Sequence, residues 1–490
     1  MKALAVEVGG VELAALVAGE GRAVAGGVIF PPGPIRILHP LEKGKVFRNG
    51  WHSWSFSGWV GEGTPRLPMA SKERQPMVDH PSCFESDRIL SSAIAAIGDP
   101  DHEALLIGAL GPGGWLEIGE GVLKGHYQGG PGGWFLAYGP TTQVFTAYLH
   151  SLCSEWEIPF TVRKAPRVWC SWYSFYRDID EKKILEVTEG LHGLPIEVVQ
   201  IDDGWQRNVG DWEPNDKFPH GLQAVAEAIQ KAGFIPGIWL APFIARDNSQ
   251  LIRQHPEWVL KDETGQPVIA GVNWGGPFYA LDISQKEALN WLKELLLKFR
   301  SWGFRYVKLD FLYAGALPGQ GGSKIAPETA YRAALRTLKE EVWKDGYLLA
   351  CGAPVIASLG VCDGLRIGPD VAPYWSDASG DPTAPGVKNA IATSTSRLWL
   401  KPAVNTDPDV VFFRSRYCLL TEEQKHILRD LAWVSGFKGT SDPPGWLTER
   451  EREELLAFLS SSPRVSQETF YRFKIADRRV DFEAEIGGWA

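Results

Sequence analysis

The segment 306–311, YVKLDF, places an acidic and a basic side chain on one face of a predicted strand. Lys308 and Asp310 alternate with apolar residues, and side chains two residues apart in a strand point to the same face. The nearby ammonium group favours the ionised carboxylate that a nucleophile requires. A buried structural ion pair is the alternative, so this segment alone leaves both interpretations open.

A second aspartate, Asp370, follows a Gly-Pro turn in the segment RIGPD, 366–370. The turn would place Asp370 beyond the end of its strand, nearer to a leaving group. The apolar neighbours 371–375 would favour the protonated carboxyl that a general acid needs. A loop aspartate that only caps a turn is the alternative.

Two adjacent acids, Asp202 and Asp203, end the run EVVQID and precede Gly204 and Trp205. Like charges repel at this spacing unless a ligand or a cation uses them. Hydroxyl groups would suit them, because charged acceptors form stronger hydrogen bonds than neutral ones. A metal site and a turn with a helix cap are the alternatives.

Aromatic, thiol and cationic side chains follow the other apolar runs. Such a set suits a polyol substrate, and glycoside hydrolysis needs two carboxyl groups that flank the bond. The chain contains no HExxH, Gly-x-Ser-x-Gly or phosphate-loop motif that would indicate other chemistry. Each residue also has a structural interpretation: Trp172 and Trp239 as core, Cys351 as a small buried hydrophobe, and Arg366 as the partner of a structural carboxylate. Three further polar residues, Asn405, Asp407 and Asp409, follow the seventh run without an assigned role.

Strand and helix patterns that could bring these side chains together alternate along residues 161–450. Short apolar runs are separated by segments with helical spacing, which predicts parallel strands joined by helices. The count favours a (β/α)8 barrel, in which side chains at the carboxyl ends of the strands form the site. The predicted strands are 168–172, 197–202, 235–240, 306–311, 348–352, 364–368 and 397–400, with 433–439 as the eighth.

Capping signals mark several helix boundaries. Three pairs have the S/T-x-x-E/Q spacing of a capping box, in which each side chain bonds the backbone N–H of the other residue. We expect a helix to begin at each of them: Ser284 with Glu287, Thr421 with Gln424, and Thr448 with Glu451.

The two flanking regions differ from the central one. Residues 1–160 contain β-prone runs between Gly/Pro clusters and no useful helical period, which predicts a β-sandwich. Residues 451–490 predict a capped helix and a β-hairpin, which are too small to be an independent domain and are expected to pack on the barrel. The predicted fold class is therefore multidomain α/β, with a (β/α)8 TIM barrel between an N-terminal β-sandwich and a small C-terminal β segment.

Composition argues against several classes of protein. The net charge is −9 and no Lys/Arg-rich run occurs, so we expect no nucleic-acid partner. No apolar run reaches the roughly 20 residues of a membrane span, and Glu7 and Glu12 interrupt any signal-peptide pattern. The six cysteines form no C-x-x-C pair, which predicts free thiols and a cytoplasmic location. Asn and Met are scarce, at 8 and 3 residues, which is typical of a thermophilic source.

Many short motifs occur in order over residues 49–410. In them the sequence resembles glycoside hydrolase family 36, the bacterial α-galactosidases: NGWHSWS, WCSWY, QIDDGW, FPHGL, GFIPGIWLAPF, YVKLDFLYAGA, CGAP, RIGPD and NTDPD. The resemblance implies the same three-part architecture. It also implies hydrolysis of terminal α-galactosides, such as melibiose and raffinose-type oligosaccharides, with retention of configuration and without a metal or cofactor.

The resemblance also implies a role for individual residues. Asp310 corresponds to the nucleophile and Asp370 to the acid/base. The remaining matched positions would bind the sugar. Its 4- and 6-hydroxyls would be bound by Asp202 and Asp203, and its other hydroxyls by Lys308, Cys351 and Arg366. The pocket walls would be formed by Trp172, Tyr173 and Trp239, with Trp54 contributed by the N-terminal region.

The sequence departs from the family pattern in places. His52 stands where Gln is common, Thr406 interrupts the usual N-D-P-D run, and the C-terminal part is short. These departures concern subsites and assembly, and a homo-oligomer is left open. The alternative activity is a galactosyl transferase resembling raffinose synthases, with an acceptor sugar in place of water. A non-catalytic sugar-binding barrel and a metal-dependent hydrolase using Asp202 and Asp203 are two further hypotheses.

Overall fold

The computed structural model describes residues 1–39, 44–61, 70–86, 88–119, 121–130, 132–319 and 326–486. The last four residues of the predicted C-terminal segment, 487–490, therefore lie outside the described residues.

The N-terminal region forms two antiparallel sheets, as the sequence predicted. Apolar residues such as Leu105, Ile107 and Phe135 are fully buried, as expected for sheets that cover one core. The first sheet has the order Lys2–Val8, Val11–Val17, Ile35–Leu38, Val122–Tyr127, Gly114–Gly119 and Ile89–Ser92. The second has the order Arg22–Val24, Gly27–Phe30, Trp134–Pro140, Glu103–Ala109, Ile94–Gly98, Lys45–Arg48 and Gly58–Val60.

Three helices depart from the prediction that residues 1–160 contain no useful helical period: the short Gln75–Val78 and Ser82–Glu85, and the longer Thr141–Glu155. Val144 and Tyr148 are among the buried residues of this longer helix, and the Tyr148 hydroxyl donates to the Ala109 carbonyl at 2.9 Å. Its β-branched and aromatic residues have modest helix propensity. Packing of the apolar face outweighs that propensity, so the all-β expectation is wrong for this segment.

Eight parallel strands form the central sheet, which confirms the predicted (β/α)8 barrel. The sheet closes where the chain beyond the seventh strand meets the eighth: Val411 N donates to Gly439 O at 2.9 Å, and Val411 forms a parallel bridge with Thr440. The strands in chain order are Val168–Cys170, Val198–Ile201, Ile235–Leu240, Tyr306–Leu309, Tyr347–Ala350, Gly364–Arg366, Asn405–Asp407 and Gly439–Thr440.

Two predicted strands were misplaced. Residues 397–400 contain the 3-10 helix Leu398–Leu400, and the seventh strand is Asn405–Asp407. Residues 433–439 include the end of a helix that stops at Gly436, where φ is 80°. A short apolar run does not distinguish a strand from a buried helical turn, and this ambiguity explains both errors.

Two of the three predicted capping boxes are present, at Thr421 and Thr448. The box at Ser284 is wrong: its hydroxyl donates to Asp282 Oδ1 at 2.5 Å, and the helix begins at Lys286 without a side-chain cap. The α-helices beyond residue 160 are Trp172–Phe175, Glu181–Gly190, Gly221–Lys231, Gln250–Gln254, Lys286–Ser301, Pro327–Thr337, Val387–Thr395, Glu422–Ser435, Glu449–Ser460 and Phe482–Ile486.

The C-terminal segment lies between the sandwich and the barrel. The Tyr471 hydroxyl accepts from Trp59 N at 3.3 Å and shares a hydrogen bond with Ser396 Oγ at 2.8 Å. The segment therefore packs on the barrel, as expected, and on the sandwich too. It has one strand more than the predicted hairpin: Val465–Gln467, Arg472–Ile475 and Arg478–Asp481. Domain boundaries near residues 160 and 450 stay predictions.

Candidate active site

A cavity of 480 Å³ is present at the carboxyl ends of the barrel strands, within the usual size range of small-molecule sites. Most of the predicted site residues line it, from the sandwich and from five barrel strands or the loops that follow them. These are Trp54, Trp172, Asp202, Asp203, Trp239, Lys308, Asp310 and Asp370.

Asp310 follows the fourth barrel strand and is held on both carboxylate oxygens. Oδ2 accepts a hydrogen bond from Trp239 Nε1 at 3.0 Å, and Oδ1 accepts from Phe311 N at 2.9 Å. Asp310 N donates to Leu240 O at 2.8 Å, which extends the pairing of the third and fourth strands. Phe311 has a φ of 53°, an uncommon conformation outside glycine. The chain thus bends directly after Asp310, while the carboxylate stays fixed as a nucleophile requires.

Lys308 lies between two of the acids. Its Nζ is 3.1 Å from Asp202 Oδ2 and 3.7 Å from Asp310 Oδ2. Burial alone would lower the pKa of Lys308, but the two carboxylates outweigh it and hold the pKa well above its usual range. Burial raises the pKa of Asp202, and Lys308 opposes that shift. The buried ammonium therefore stays charged and offsets the repulsion between Asp202 and Asp310.

Asp203 has one donor on each carboxylate oxygen. Gln206 Nε2 donates to Oδ1 at 2.5 Å, and Trp274 Nε1 donates to Oδ2 at 2.8 Å. Burial raises the pKa of Asp203, and these two donors oppose the shift. Each oxygen keeps a second lone pair for a ligand hydroxyl.

Trp274 was missed by sequence reasoning. It lies in the turn between the strands Ile269–Asn273 and Gly276–Ala280, lines the cavity, and has a φ of 52°. The buried Arg246 guanidinium donates to the carbonyls of Asn273 and Trp274 and so fixes the turn. The sequence signal is Asn-Trp-Gly-Gly at 273–276, a turn composition with an aromatic residue inside it.

Trp54 reaches the cavity from the N-terminal region. Its ring lies edge-on to Phe311, with centroids 5.0 Å apart. Gly352 permits this approach, because a Cβ there would lie 2.9 Å from the Trp54 ring and 3.0 Å from Phe311 N. His52 Nδ1 accepts from Trp54 N at 3.2 Å, so its Nε2 donates to the Pro76 carbonyl at 3.1 Å. His52 is therefore neutral and orients the backbone of Trp54.

A buried arginine holds residues 50–55 on the barrel. Burial lowers the pKa of Arg397 to about 9, and the nearby Asp79 opposes that shift. The guanidinium donates to five carbonyl oxygens at 2.6 to 3.1 Å, those of Gly50, His52, Ser53, Ser55 and Ile367. One residue therefore ties the Trp54 segment to the chain that leads to Asp370.

Asp370 stands on the loop after the sixth strand, and its surroundings differ from those predicted. Arg366 Nη1 donates to its Oδ1 at 2.9 Å, so an ion pair, in addition to apolar neighbours, faces the carboxyl. Its side chain is 27% exposed, against 8% for Asp310. Gly368 lets the loop approach the helix Val387–Thr395, since a Cβ there would lie 2.3 Å from Ser394 Oγ.

Three predicted site residues lie behind the cavity wall. Tyr173, Cys351 and Arg366 are 1%, 0% and 4% exposed, and they are not among the described residues that line the cavity. Tyr173 donates to Asp409, and Arg366 pairs with Asp407 and Asp409 as well as with Asp370. The structure thus places these three behind the residues that line the cavity, and their direct contact with a sugar stays a prediction.

The alternative hypothesis of a metal site at Asp202 and Asp203 depends on the groups that surround these two carboxylates. Asp202 Oδ2 accepts from Gln200 Nε2 at 2.5 Å and from Lys308 Nζ. Among the residues that the structure describes, no group of three His, Cys, Asp or Glu side chains is arranged to hold a metal ion. The protein's own donors thus provide partners for both acids.

Comparisons with known proteins agree with this geometry. The Melibiase family model matches residues 137–336. α-Galactosidase AgaA of Geobacillus stearothermophilus is 31% identical over 186 residues, which are 35% of this chain and only 25% of that protein's length. A crystal structure of an AgaA variant with 1-deoxygalactonojirimycin shares the fold, with a TM-score of 0.61 and 15% identity over 95% of this chain and 70% of that one.

A full-length match comes from Thermus thermophilus. The α-galactosidase TtGalA in complex with p-nitrophenyl α-D-galactopyranoside superposes with a TM-score of 0.93 and 43% identity, covering 99% of this chain and 100% of that one. The same enzyme in complex with stachyose gives a TM-score of 0.89 and 44% identity over 94% and 100% of the two chains. With a family match over residues 137–336 and this similarity over 99% of its length, the chain is a glycoside hydrolase that belongs to family 36, the α-galactosidases.

Proposed function

We propose that this protein hydrolyses terminal, non-reducing α-D-galactosides, such as melibiose and raffinose-type oligosaccharides, with retention of configuration. One observation carries the proposal: two carboxylates with unlike support, Asp310 and Asp370, line the same cavity. Retaining hydrolysis needs such a pair, one fixed and ionised and the other able to exchange a proton.

The reaction has two displacements. An oxygen of Asp310 attacks the anomeric carbon while Asp370 protonates the departing glycosidic oxygen, and a covalent galactosyl-enzyme forms. Asp370 then takes a proton from water, the water oxygen bonds to the anomeric carbon, and Asp310 is released. Asp202, Asp203 and Lys308 bind sugar hydroxyls through charge-assisted hydrogen bonds.

The stacking surfaces fit the same substrate. Trp54, Trp172 and Trp239 line the cavity with the acids, so the apolar face of a sugar ring has aromatic partners. TtGalA is seen with p-nitrophenyl α-D-galactopyranoside and with stachyose, and its 43% identity supports the same substrate class here.

The test is turnover of p-nitrophenyl α-galactoside and melibiose, with the first-formed anomer of galactose observed by NMR. We expect α-galactose first; β-galactose would contradict retention, and no turnover of any α-galactoside would contradict the whole proposal. Activity should survive a chelator, which separates it from a metal-dependent hydrolase. A product dominated by transfer to added sucrose would favour the transferase instead.

We also infer a cytoplasmic, heat-stable protein. All six cysteines are free thiols, as is usual in reducing compartments, and a Thermus protein is 43% identical. No helix in the described ranges is long and apolar enough to cross a membrane. A melting midpoint in the mesophile range, about 45–65 °C, would contradict heat stability, and light scattering will give the oligomeric state.

A further inference from the structure

A buried network joins the ends of three barrel strands behind Asp370. Arg366 Nη1 lies 2.9 Å from Asp370 Oδ1 and 2.8 Å from Asp409 Oδ2, while its Nε lies 2.9 Å from Asp407 Oδ2. Tyr173 donates its hydroxyl hydrogen to Asp409 and accepts from Arg366 at 3.2 Å. Apart from Asp370, each of these side chains is 4% exposed or less.

Asp409 is the member that also touches the backbone of the Asp370 loop. Its Oδ2 accepts from Val371 N at 3.0 Å, and its Oδ1 accepts from Val410 N at 2.9 Å. Asp409 has a φ of 85°, a conformation that costs free energy for a residue other than glycine and is often found at functional sites. The chain thus adopts an unfavourable conformation that brings this carboxyl against the residue following Asp370.

The positive charge of Arg366 gives Asp407 and Asp409 a use beside Asp370. A guanidinium beside an acid stabilises its ionised form, which opposes proton donation by Asp370. Asp407 and Asp409 compensate the positive charge of Arg366, so the guanidinium can orient Asp370 while it presents less uncompensated charge to that carboxyl. Burial raises the pKa of Asp409 to about 7 and Arg366 opposes this, while Asp370 raises it further. The negative charges of Asp370 and Asp407 therefore both oppose ionisation of Asp409.

We propose that Asp409, supported by Tyr173, is a positioning residue for acid–base catalysis that fixes the Asp370 loop and lets Asp370 keep its proton beside Arg366. This inference rests on the proposed hydrolysis, in which Asp370 gives its proton to the glycosidic oxygen and then takes one from water. Asp409 contacts Asp370's loop and Arg366 and does not line the cavity.

The pH dependence of the reaction follows from the groups around Asp370. The titratable and charged groups that interact with it or with its guanidinium partner include Arg366, Lys308, Asp407, Asp409, Tyr173, Tyr176, Tyr306 and Cys351. Removal of the Asp409 charge leaves the positive charge of Arg366 less compensated, and an uncompensated cation disfavours a neutral acid beside it.

The experiment compares Asp409→Asn with the parent on two aryl α-galactosides, one with a good leaving group and one with a poor one. We expect kcat/KM to fall at least tenfold more for the poor leaving group, since general acid catalysis contributes about 10²–10⁴-fold. The alkaline limb of its pH profile should move to lower pH, with KM little changed. Equal losses on both substrates with an unmoved limb would overturn the proposal.

Asp430→Asn is the matched control, because Asp430 is a buried acid that pairs with Arg478 away from the cavity. It should show no dependence on the leaving group. If Asp409→Asn does not fold, Tyr173→Phe decides: it removes one hydroxyl and should give a smaller loss with the same leaving-group dependence, whereas a uniform loss would overturn the inference. A parent protein without turnover would contradict the proposed function instead.

Discussion

The ends of the fourth and sixth barrel strands present the two proposed catalytic carboxyls in different ways. Asp310 is nearly buried and receives Trp239 Nε1 and Phe311 N, one on each oxygen. Asp370 is 27% exposed, stands on a loop, and is held through one oxygen by Arg366. A carboxylate whose two oxygens are each fixed by a hydrogen bond suits nucleophilic attack. An accessible carboxyl suits proton exchange with a leaving group and with water.

The supports also differ behind the carboxyls. Lys308 pairs with both Asp310 and Asp202, so the positive charge at the fourth strand is shared with an acid that we propose binds the sugar. Arg366 serves Asp370, Asp407 and Asp409, so at the sixth strand extra acids compensate the cation. In the proposed mechanism, the cation that faces two carboxylates stands beside the nucleophile, and the cation that faces three stands beside the acid/base.

The largest expected effect is the loss of activity when the proposed nucleophile, Asp310, is replaced. Asp310→Asn keeps the size of the side chain but removes the attacking charge, so activity should fall about 10⁴-fold or more on every substrate. Steady-state rates on good and poor leaving groups check this. Activity within tenfold of the parent would mean that Asp310 is not the nucleophile.

The next effect separates the two carboxyls by leaving group. Asp370→Asn should lose roughly 10²–10⁴-fold on melibiose, which needs a proton donor. It should lose far less on 2,4-dinitrophenyl α-galactoside, whose leaving group departs unaided. Rates on the two substrates give the ratio, and similar losses would remove the assignment of Asp370 as acid/base.

A third change tests the cation behind Asp310. Lys308→Met leaves two carboxylates buried without their counter-charge, so the free energy of unfolding should fall by about 3–5 kcal/mol. Denaturant unfolding measures it. Lys339→Met is the control, because Lys339 is partly exposed and pairs only with Asp363 among the described carboxylates; an equal loss there would show that Lys308 has no special role.

The smallest expected effect concerns His52, the buried residue that orients the backbone of Trp54. Burial lowers the pKa of His52 to about 3, although Asp79 opposes the shift. The unfolded state takes up a proton below about pH 6.5 and the folded state does not, so stability falls as pH falls through this window. His52→Gln should therefore regain about 2 kcal/mol at pH 5 relative to the parent.

Unfolding curves at pH 7 and pH 5 test this sign. The variant should still lose stability on acidification through His80, for which burial lowers the pKa to about 4. An unchanged pH dependence would show that His52 is not buried as a neutral ring.

The sequence was sufficient for the barrel and for the residues at its strand ends. Periodicity located six of the eight strands, and Lys308 with Asp310 followed from strand alternation alone. It failed at 397–400 because an apolar tetrad fits a buried 3-10 turn equally well. It could not give the depth of Tyr173 and Arg366 behind the cavity, because that depth depends on partners such as Asp409 and Asp407 that are distant in the chain.

Trp274 and Asp409 show the other limit of sequence reasoning. Both have a positive φ, which the residue type alone does not predict. Their roles depend on contacts that only the folded chain supplies, Trp274 with Asp203 and Asp409 with Val371 N.

Azide rescue tests the assignment of the two carboxyls most directly. In Asp310→Gly, azide should attack the face that the nucleophile vacated and give β-galactosyl azide from an activated α-galactoside. In Asp370→Gly, the galactosyl-enzyme still forms, so azide should attack its opposite face and give α-galactosyl azide. The account predicts these opposite anomers by NMR; the same anomer from both variants, or the reverse pair, would contradict it.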